Sequence, residues 1–321
     1  MKTSDIQFLH NPFLRILLII SFFVLAAAFL PVVGFAFIVF IPLLTFFYGA
    51  AAGKTKTAIA FFVPVLLIFL ISYLLQLNIP YLVILIMGVA GLTIAAVAPK
   101  YNSIEKTVVY PSLIVVAALC FYFIYSGFVF SANPWHLLKE YVAQTIEQNI
   151  NLYDQLPFDK EEINIIRDNK TTLVNFFTGI FPSIALVGSA MIVWINVLLG
   201  RNLLRSAKIY LVGLEKLAQW KAPDFLIWIF IIAGGMLLLS DSTIRLICIN
   251  ILIIVFFIYM LQGFAIISFL FQNKNVPVFL RYLFYFLIAA QQFIMILIAA
   301  VGLFDIWVDF RRFFQKKQTS A

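Results

Sequence analysis

Asp305, Asp309 and Arg312 follow one another at spacings of four and three near the end of a long apolar run, which places them on one face of a continuing helix. Asp309 and Arg312 could then pair directly. Asp305, nearer the membrane, could bind a proton or cation, or receive Arg281 or Arg245 from a neighbouring helix. An interfacial anchor shared with Trp307 is the competing role. Gln262 and Gln292, with Asn196, Asn250 and Gln291, are polar side chains inside apolar runs. In hydrocarbon such groups need partners, so they face a bundle interior or a cavity. There they either touch a substrate or join helices, at about 0.6 kcal/mol each on average. Asn250 and Gln262 are twelve residues apart and point about 120° apart on a straight helix, which assigns at least one of them to helix joining. Gln262, Gln292 and Asp305 stand as the candidate substrate or coupling residues.

Other chemistries find no constellation. The two histidines, His10 and His136, fall on opposite membrane faces in the topology below and cannot share a site. Cys120 and Cys248 each sit inside an apolar run, without C-x-x-C spacing or a His/Cys cluster, which argues against disulfides and zinc. Neither H-E-x-x-H nor G-x-S-x-G is present. Gly53-Lys54-Thr55 ends like a phosphate loop, but Tyr48 stands where its first glycine is required. The chain is expected to have no catalytic residues, metal or cofactor, and not to be an enzyme.

The elements that must position these residues follow from composition. Of 321 residues 64% are hydrophobic, including 36 Phe, and only 11% are charged, whereas a soluble domain carries roughly 25% charged residues. Lipid must therefore be part of the solvent, and lipid admits only helices or a closed barrel. The apolar runs are long and continuous, unlike barrel strands of about 10 alternating residues. The fold expected is all-α, a polytopic transmembrane bundle forming a single integral membrane domain over 1–321. The net charge of +8 comes from bases in short loops, a sign of topology and anionic lipid contact and not of nucleic acid.

A span needs about 20 residues. Candidates lie at 14–30, 32–49, 57–77, 80–98, 107–130, 171–199, 223–240, 244–271 and 277–304. Ala26-Ala27-Ala28 loosely resembles a cleavage site, but no polar segment follows before Lys54, which favours a retained helix. Lys2 and Arg15, Lys54 and Lys56, Lys100 and Lys106, then Arg201 to Lys221 fall at alternate loops, so these loops belong inside. The tail with Arg311, Arg312, Lys316 and Lys317 lies inside with eight spans and outside with nine.

Three local features complete the reading. Residues 131–170, with seven acids and four bases, form an extracytoplasmic helical hairpin. Asn133 and Pro134 start its first helix, and Trp135, Leu138, Val142, Thr145 and Asn149 repeat at helical spacing. Asp159 with Glu162 starts the second helix as a capping box. The hairpin either covers an outward cavity or rests on the lipid interface. Residues 203–220 form a basic amphipathic cytoplasmic helix that lies on anionic lipid or docks a partner. Gly49 and Gly53 make a G-x-x-x-G that lets helices approach closely, and Gly91 with Ala95 repeats the idea.

Gly188 to Arg201, Tyr259 to Ala265 around Gln262-Gly263, Pro277 with Arg281, and Gly302 to Arg311 together resemble the YybS-like family of bacterial predicted multi-pass membrane proteins. The likeness is best over 180–312. That family is similar, more distantly, to the S components of energy-coupling-factor transporters. The resemblance implies a bacterial cytoplasmic (inner) membrane location. It also implies a helical bundle holding a small ligand near its outer face, working with a membrane protein partner and ATPases at the cytoplasmic face. The chain departs from S components in two ways. No alanine stands four residues after Ala26, Ala27 or Ala28, and it has two or three spans beyond the usual six. Two functions follow as expectations: a transporter-type small-solute-binding component, or a membrane scaffold or assembly factor with no transported substrate.

Overall fold

The computed structural model describes residues 11–30, 33–156, 160–215, 217–239 and 241–312, with the side chains of residues 282, 289, 290 and 292 outside that description. Readings that fall on Lys2, His10, Asp159, Lys316 and Lys317 lie outside it as well. The described residues are helical, with no strand among them.

Helices α1 (Pro12–Phe29), α2 (Val33–Ala51), α3 (Lys54–Leu75), α4 (Tyr81–Tyr101) and α5 (Ile104–Val129) are each long and apolar enough to cross a membrane. After them come α6 (Pro134–Tyr153) and α7 (Lys160–Asp168), then the 37-residue α8 (Lys170–Ser206), a further span-length helix. The chain continues through a short α9 (Val212–Glu215), a 3-10 turn at Leu217–Gln219 and α10 (Leu226–Met236). It ends with the span-length α11 (Ser242–Asn273) and the pair α12 (Val278–Ala290) and α13 (Gln292–Val308). That pair bends by 107° and can count as one span. Gln291, at φ −120° and ψ 102°, makes the break.

Among the described residues seven helices are thus span-length, or eight with the bent pair, so of the two expected counts the helix lengths agree with eight. The run at 223–240 is helical over only 11 residues, a rise of about 16 Å against roughly 30 Å of hydrocarbon. The last turn tightens instead of continuing: Leu238 N–H bonds Gly235 O and Leu239 N–H bonds Met236 O, each three residues back.

The continuous helix expected over 203–220 is corrected. Lys208 adopts φ 60°, Ile209 N–H bonds Leu204 O at 2.8 Å, and Lys208 N–H bonds Arg205 O at 2.9 Å. This is a Schellman stop, and Ile209 and Leu204 lie in one apolar cluster beside it. Apolar periodicity carries on through such a stop, so the pattern looked like one helix. Arg205 bonds the Glu215 carboxylate across the turn.

The chain folds as two compact units, Met1–Tyr122 with Gly188–Glu215 and Phe123–Val187 with Lys216–Ala321. Two of the divisions fall inside α5 and α8, where no linker marks them.

In the first unit α2 and α4 pack closely. A Cβ on Gly49 would lie 2.7 Å from Ala95 Cβ, and one on Gly91 would lie 2.0 Å from Thr45 Oγ1. Gly49 is therefore a packing residue against Ala95. Gly53 makes no such contact within the chain: it has φ 103° with nothing within 4 Å of its Cβ position, and it turns the chain into α3. Ile20, Ile41, Phe61 and Ile84 make one apolar cluster, and Phe46, Ile94, Val193 and Val197 another.

In the second unit Asn133 accepts from Trp135 N–H at 2.8 Å with Pro134 opening α6, as its sequence indicates. Leu138 and Val142 of α6 bury against Val174 of α8. Trp135, Thr145 and Asn149 stay outside the buried line. Ion pairs from Arg167 to Asp154 and from Lys170 to Glu147 tie the hairpin.

Candidate functional site

Glycine places the site. A Cβ on Gly302 of α13 would lie 1.9 Å from Tyr259 O, and one on Gly263 of α11 would lie 2.1 Å from Ile298 O. Without side chains at these positions the two backbones touch, and the residues beside them meet. Gln262 is fully buried and donates from Nε2 to Asp305 Oδ2 at 2.9 Å. Its Oε1 accepts from Ala222 N–H at 3.1 Å. Asp305 is 2% exposed, and its Oδ1 accepts from Phe310 N–H at 3.0 Å. Arg311 Nη1 lies 3.6 Å from Asp305 Oδ2, and Arg311 Nη2 donates to Trp220 O at 2.7 Å.

The helical face drawn through Asp305, Asp309 and Arg312 is corrected by this geometry. The helix ends at Val308, and Asp309 takes φ 44°, a conformation that Asp tolerates better than most residues. The turn carries Arg311, not Arg312, back onto Asp305, while Arg312 N–H bonds Asp309 Oδ1 at 3.3 Å. Arg281 bonds the carbonyls of Val276 and Phe271, and Arg245 that of Leu239, so neither serves Asp305. Burial pushes the Arg311 guanidinium below its ordinary pKa, while Asp305 and Asp309 raise it. A guanidinium stays charged all the same.

Asp305 thus accepts from an amide and a backbone N–H and is faced by a guanidinium at ion-pair distance. The Tyr259 hydroxyl, one turn from Gln262 and buried, has no hydrogen-bond partner among the described residues. Ile306 and Trp307, directly after Asp305, border an open cleft of about 360 Å³ whose other walls include Lys221, Asp224 and Trp228. A carboxylate with a fixed amide and a counter-charge can exchange a proton or hold a cation or ammonium group. No group of three metal-ligating residues occurs among the described residues.

Of the three residues singled out by sequence, Gln262 and Asp305 meet. The Gln292 side chain lies outside the described residues, and its backbone opens α13 just after the bend. Arg311 and the glycine pair were not singled out. The available signals were the left-handed tendency of Asp309 and two glycines in facing apolar helices.

The two intramembrane asparagines join helices by one repeated device. Proline lacks the N–H that a helix bonds to the carbonyl four residues back. In α8, which contains Pro182, Asn250 of α11 accepts from Ser183 N–H at 3.1 Å and donates to Gly179 O at 2.9 Å. An unbroken helix would join that donor and acceptor directly. In α2, which contains Pro42, Asn196 of α8 donates to Val39 O at 2.9 Å. Each asparagine reaches the carbonyl three residues before a proline (182 − 179 and 42 − 39).

A family model described as "Predicted membrane protein (DUF2232)" matches residues 18–306 of the chain. No curated protein and no solved structure matches it significantly.

Proposed function

The chain belongs to the DUF2232 family of predicted membrane proteins, and from that premise we propose a transporter-type component that binds a small solute and catalyses no reaction of its own. The observation that carries this reading is the burial of Asp305. Among the described residues it is the one acidic side chain in the buried class, and it is held by Gln262 and faced by Arg311. An ionisable group packed between apolar helices is costly and is kept for function. In this role Asp305 takes a proton or cation that accompanies the solute, and Gln262 orients the carboxylate.

The same contacts bear on topology. Arg311 bonds Trp220 O, which supports a tail on the same membrane face as Trp220 and Lys221, the cytoplasmic one by charge. The chain between them must then cross an even number of times. With α11 as one crossing and the bent α12–α13 pair as the other, eight spans result and residues 131–170 lie outside. A reporter fused after Ala321 gives a cytoplasmic signal; an external signal rejects this topology.

The turn after α8, closed by Arg205 and Glu215, is the contact offered to a membrane protein partner or ATPase in a bacterial inner membrane. A second reading, a scaffold or assembly factor, draws on the α6–α7 hairpin with its two ion pairs. Mild-detergent purification from the native host, with mass spectrometry of proteins and small molecules, separates the two. A stoichiometric solute, or a coupling protein with ATPases, supports solute binding. Envelope proteins with no solute reject it in favour of the scaffold.

A further inference from the structure

The cleft beside Trp307 has its own chemistry, independent of the Asp305 network. One end carries a charge pair, Lys221 Nζ to Asp224 Oδ1 at 3.3 Å, with both side chains well exposed. Two tryptophans flank it, Trp228 at 65% and Trp307 at 62% exposure. Its apolar walls are Ile227 and Ile231 of α10 with Ile306 of α13. From Asp224, in the turn before α10, to Ile231 is seven residues, about 10 Å at helical rise. Over that distance the lining passes from charged to apolar, as a bilayer does between headgroup and acyl chain.

Each group selects. Lys221 supplies a cation for a phosphate, and Asp224 supplies an acceptor for an ammonium N–H. The indoles favour a cation over their faces. An anionic headgroup without an amine would leave Asp224 facing negative charge. A quaternary ammonium could use the indoles but has no N–H for Asp224. The isoleucines suit an acyl chain, and the chain's membrane setting supplies one. We propose that this cleft binds the headgroup of a primary-amine zwitterionic phospholipid, of the phosphatidylethanolamine class, with an acyl chain along Ile227 and Ile231.

The test is native mass spectrometry of the full chain released from mixed bilayers of equal phosphatidylethanolamine, phosphatidylcholine and phosphatidylglycerol. Wild type is expected to retain phosphatidylethanolamine over phosphatidylcholine by up to about fivefold, the value of roughly 1 kcal/mol for one exposed charged contact. Asp224→Asn brings that ratio to about one, while Lys221→Gln lowers retention of both zwitterions together. Both positions are exposed, so the variants fold, and circular dichroism confirms it. Retention of phosphatidylglycerol equal to or above phosphatidylethanolamine overturns the proposal, as does an unchanged ratio in Asp224→Asn. Soluble phosphoethanolamine at millimolar concentration should not displace the lipid. Displacement would make the ligand a free zwitterion and overturn the lipid assignment. Selective lipid retention without any bound solute leaves this inference standing and removes only the solute-binding reading.

Discussion

Replacing Asn250 by Leu keeps the branched outline of the side chain, at a larger volume, and deletes the amide that spans Ser183 N–H and Gly179 O. Two interhelical hydrogen bonds are lost; the third, to Leu246 O, is within Asn250's own helix. Intramembrane side-chain hydrogen bonds average about 0.6 kcal/mol and reach about 1.7 kcal/mol, so the expected loss is about 1–3 kcal/mol. The size depends on Pro182. Pro182 removes the N–H that would bond Thr178 O, and the Asn250 amide bonds the next donor and acceptor along the helix. Where Pro182→Ala restores the missing N–H, Ser183 and Gly179 can bond directly and Asn250 has less to contribute. Asn250→Leu should therefore cost about 1 kcal/mol less in the Pro182→Ala background. The assay is reversible unfolding of the four proteins of this double-mutant cycle in mixed micelles, followed by tryptophan fluorescence. Distant, independent sites add within about 0.5 kcal/mol. Additivity at that level would refute the idea that Asn250 acts through the proline-opened ladder.

Gly302→Ala forces a methyl group against the Tyr259 carbonyl and should destabilise by about 1–3 kcal/mol, the usual cost of overpacking. Gly188→Ala, in open space within α8, should be neutral or stabilising by up to about 1 kcal/mol; equal melting shifts would contradict the packing assignment. The Arg205 hydrogen bond holds Glu215 below the ordinary carboxylate value of 4.5. The folded pKa is thus lower than the unfolded one, so the contact stabilises fully above the ordinary range and is lost as pH falls through the depressed value. Intrinsically corrected amide exchange over residues 207–215 should rise in acid for wild type. In Arg205→Gln it should already be high at neutral pH with no further acid-linked rise, and persisting acid sensitivity would assign the effect to another group.

The spans were legible because lipid burial writes itself as long apolar runs, and the start of α6 was legible because Asn133 and Pro134 act within three residues. The 203–220 stop was not, since a Schellman turn at Lys208 leaves apolar periodicity intact on both sides. Residues 225–239 carry no polar side chain, yet only the hydrogen-bond pattern after Gly235 shows where the helix ends. Gly49 and Gly53 share a spacing but not a role, because one faces Ala95 and the other bends the backbone. Gln262 and Asp305 stood out as polar residues in apolar runs. Their pairing across 43 residues depends on Gly263 and Gly302 facing each other, which no local pattern encodes. Arg311 reaches Asp305 only because Asp309 leaves the helix, and this replaced the arginine that spacing had favoured.

The most direct test of the solute-binding reading compares wild type with Asp305→Asn, purified identically from the native host and analysed by quantitative mass spectrometry of bound small molecules. The variant keeps the size of the side chain and an oxygen for the Phe310 N–H. A solute near one per chain in wild type, and lost in Asp305→Asn with the helical content unchanged, is the expected result. Equal solute in both, or none in either, would contradict it.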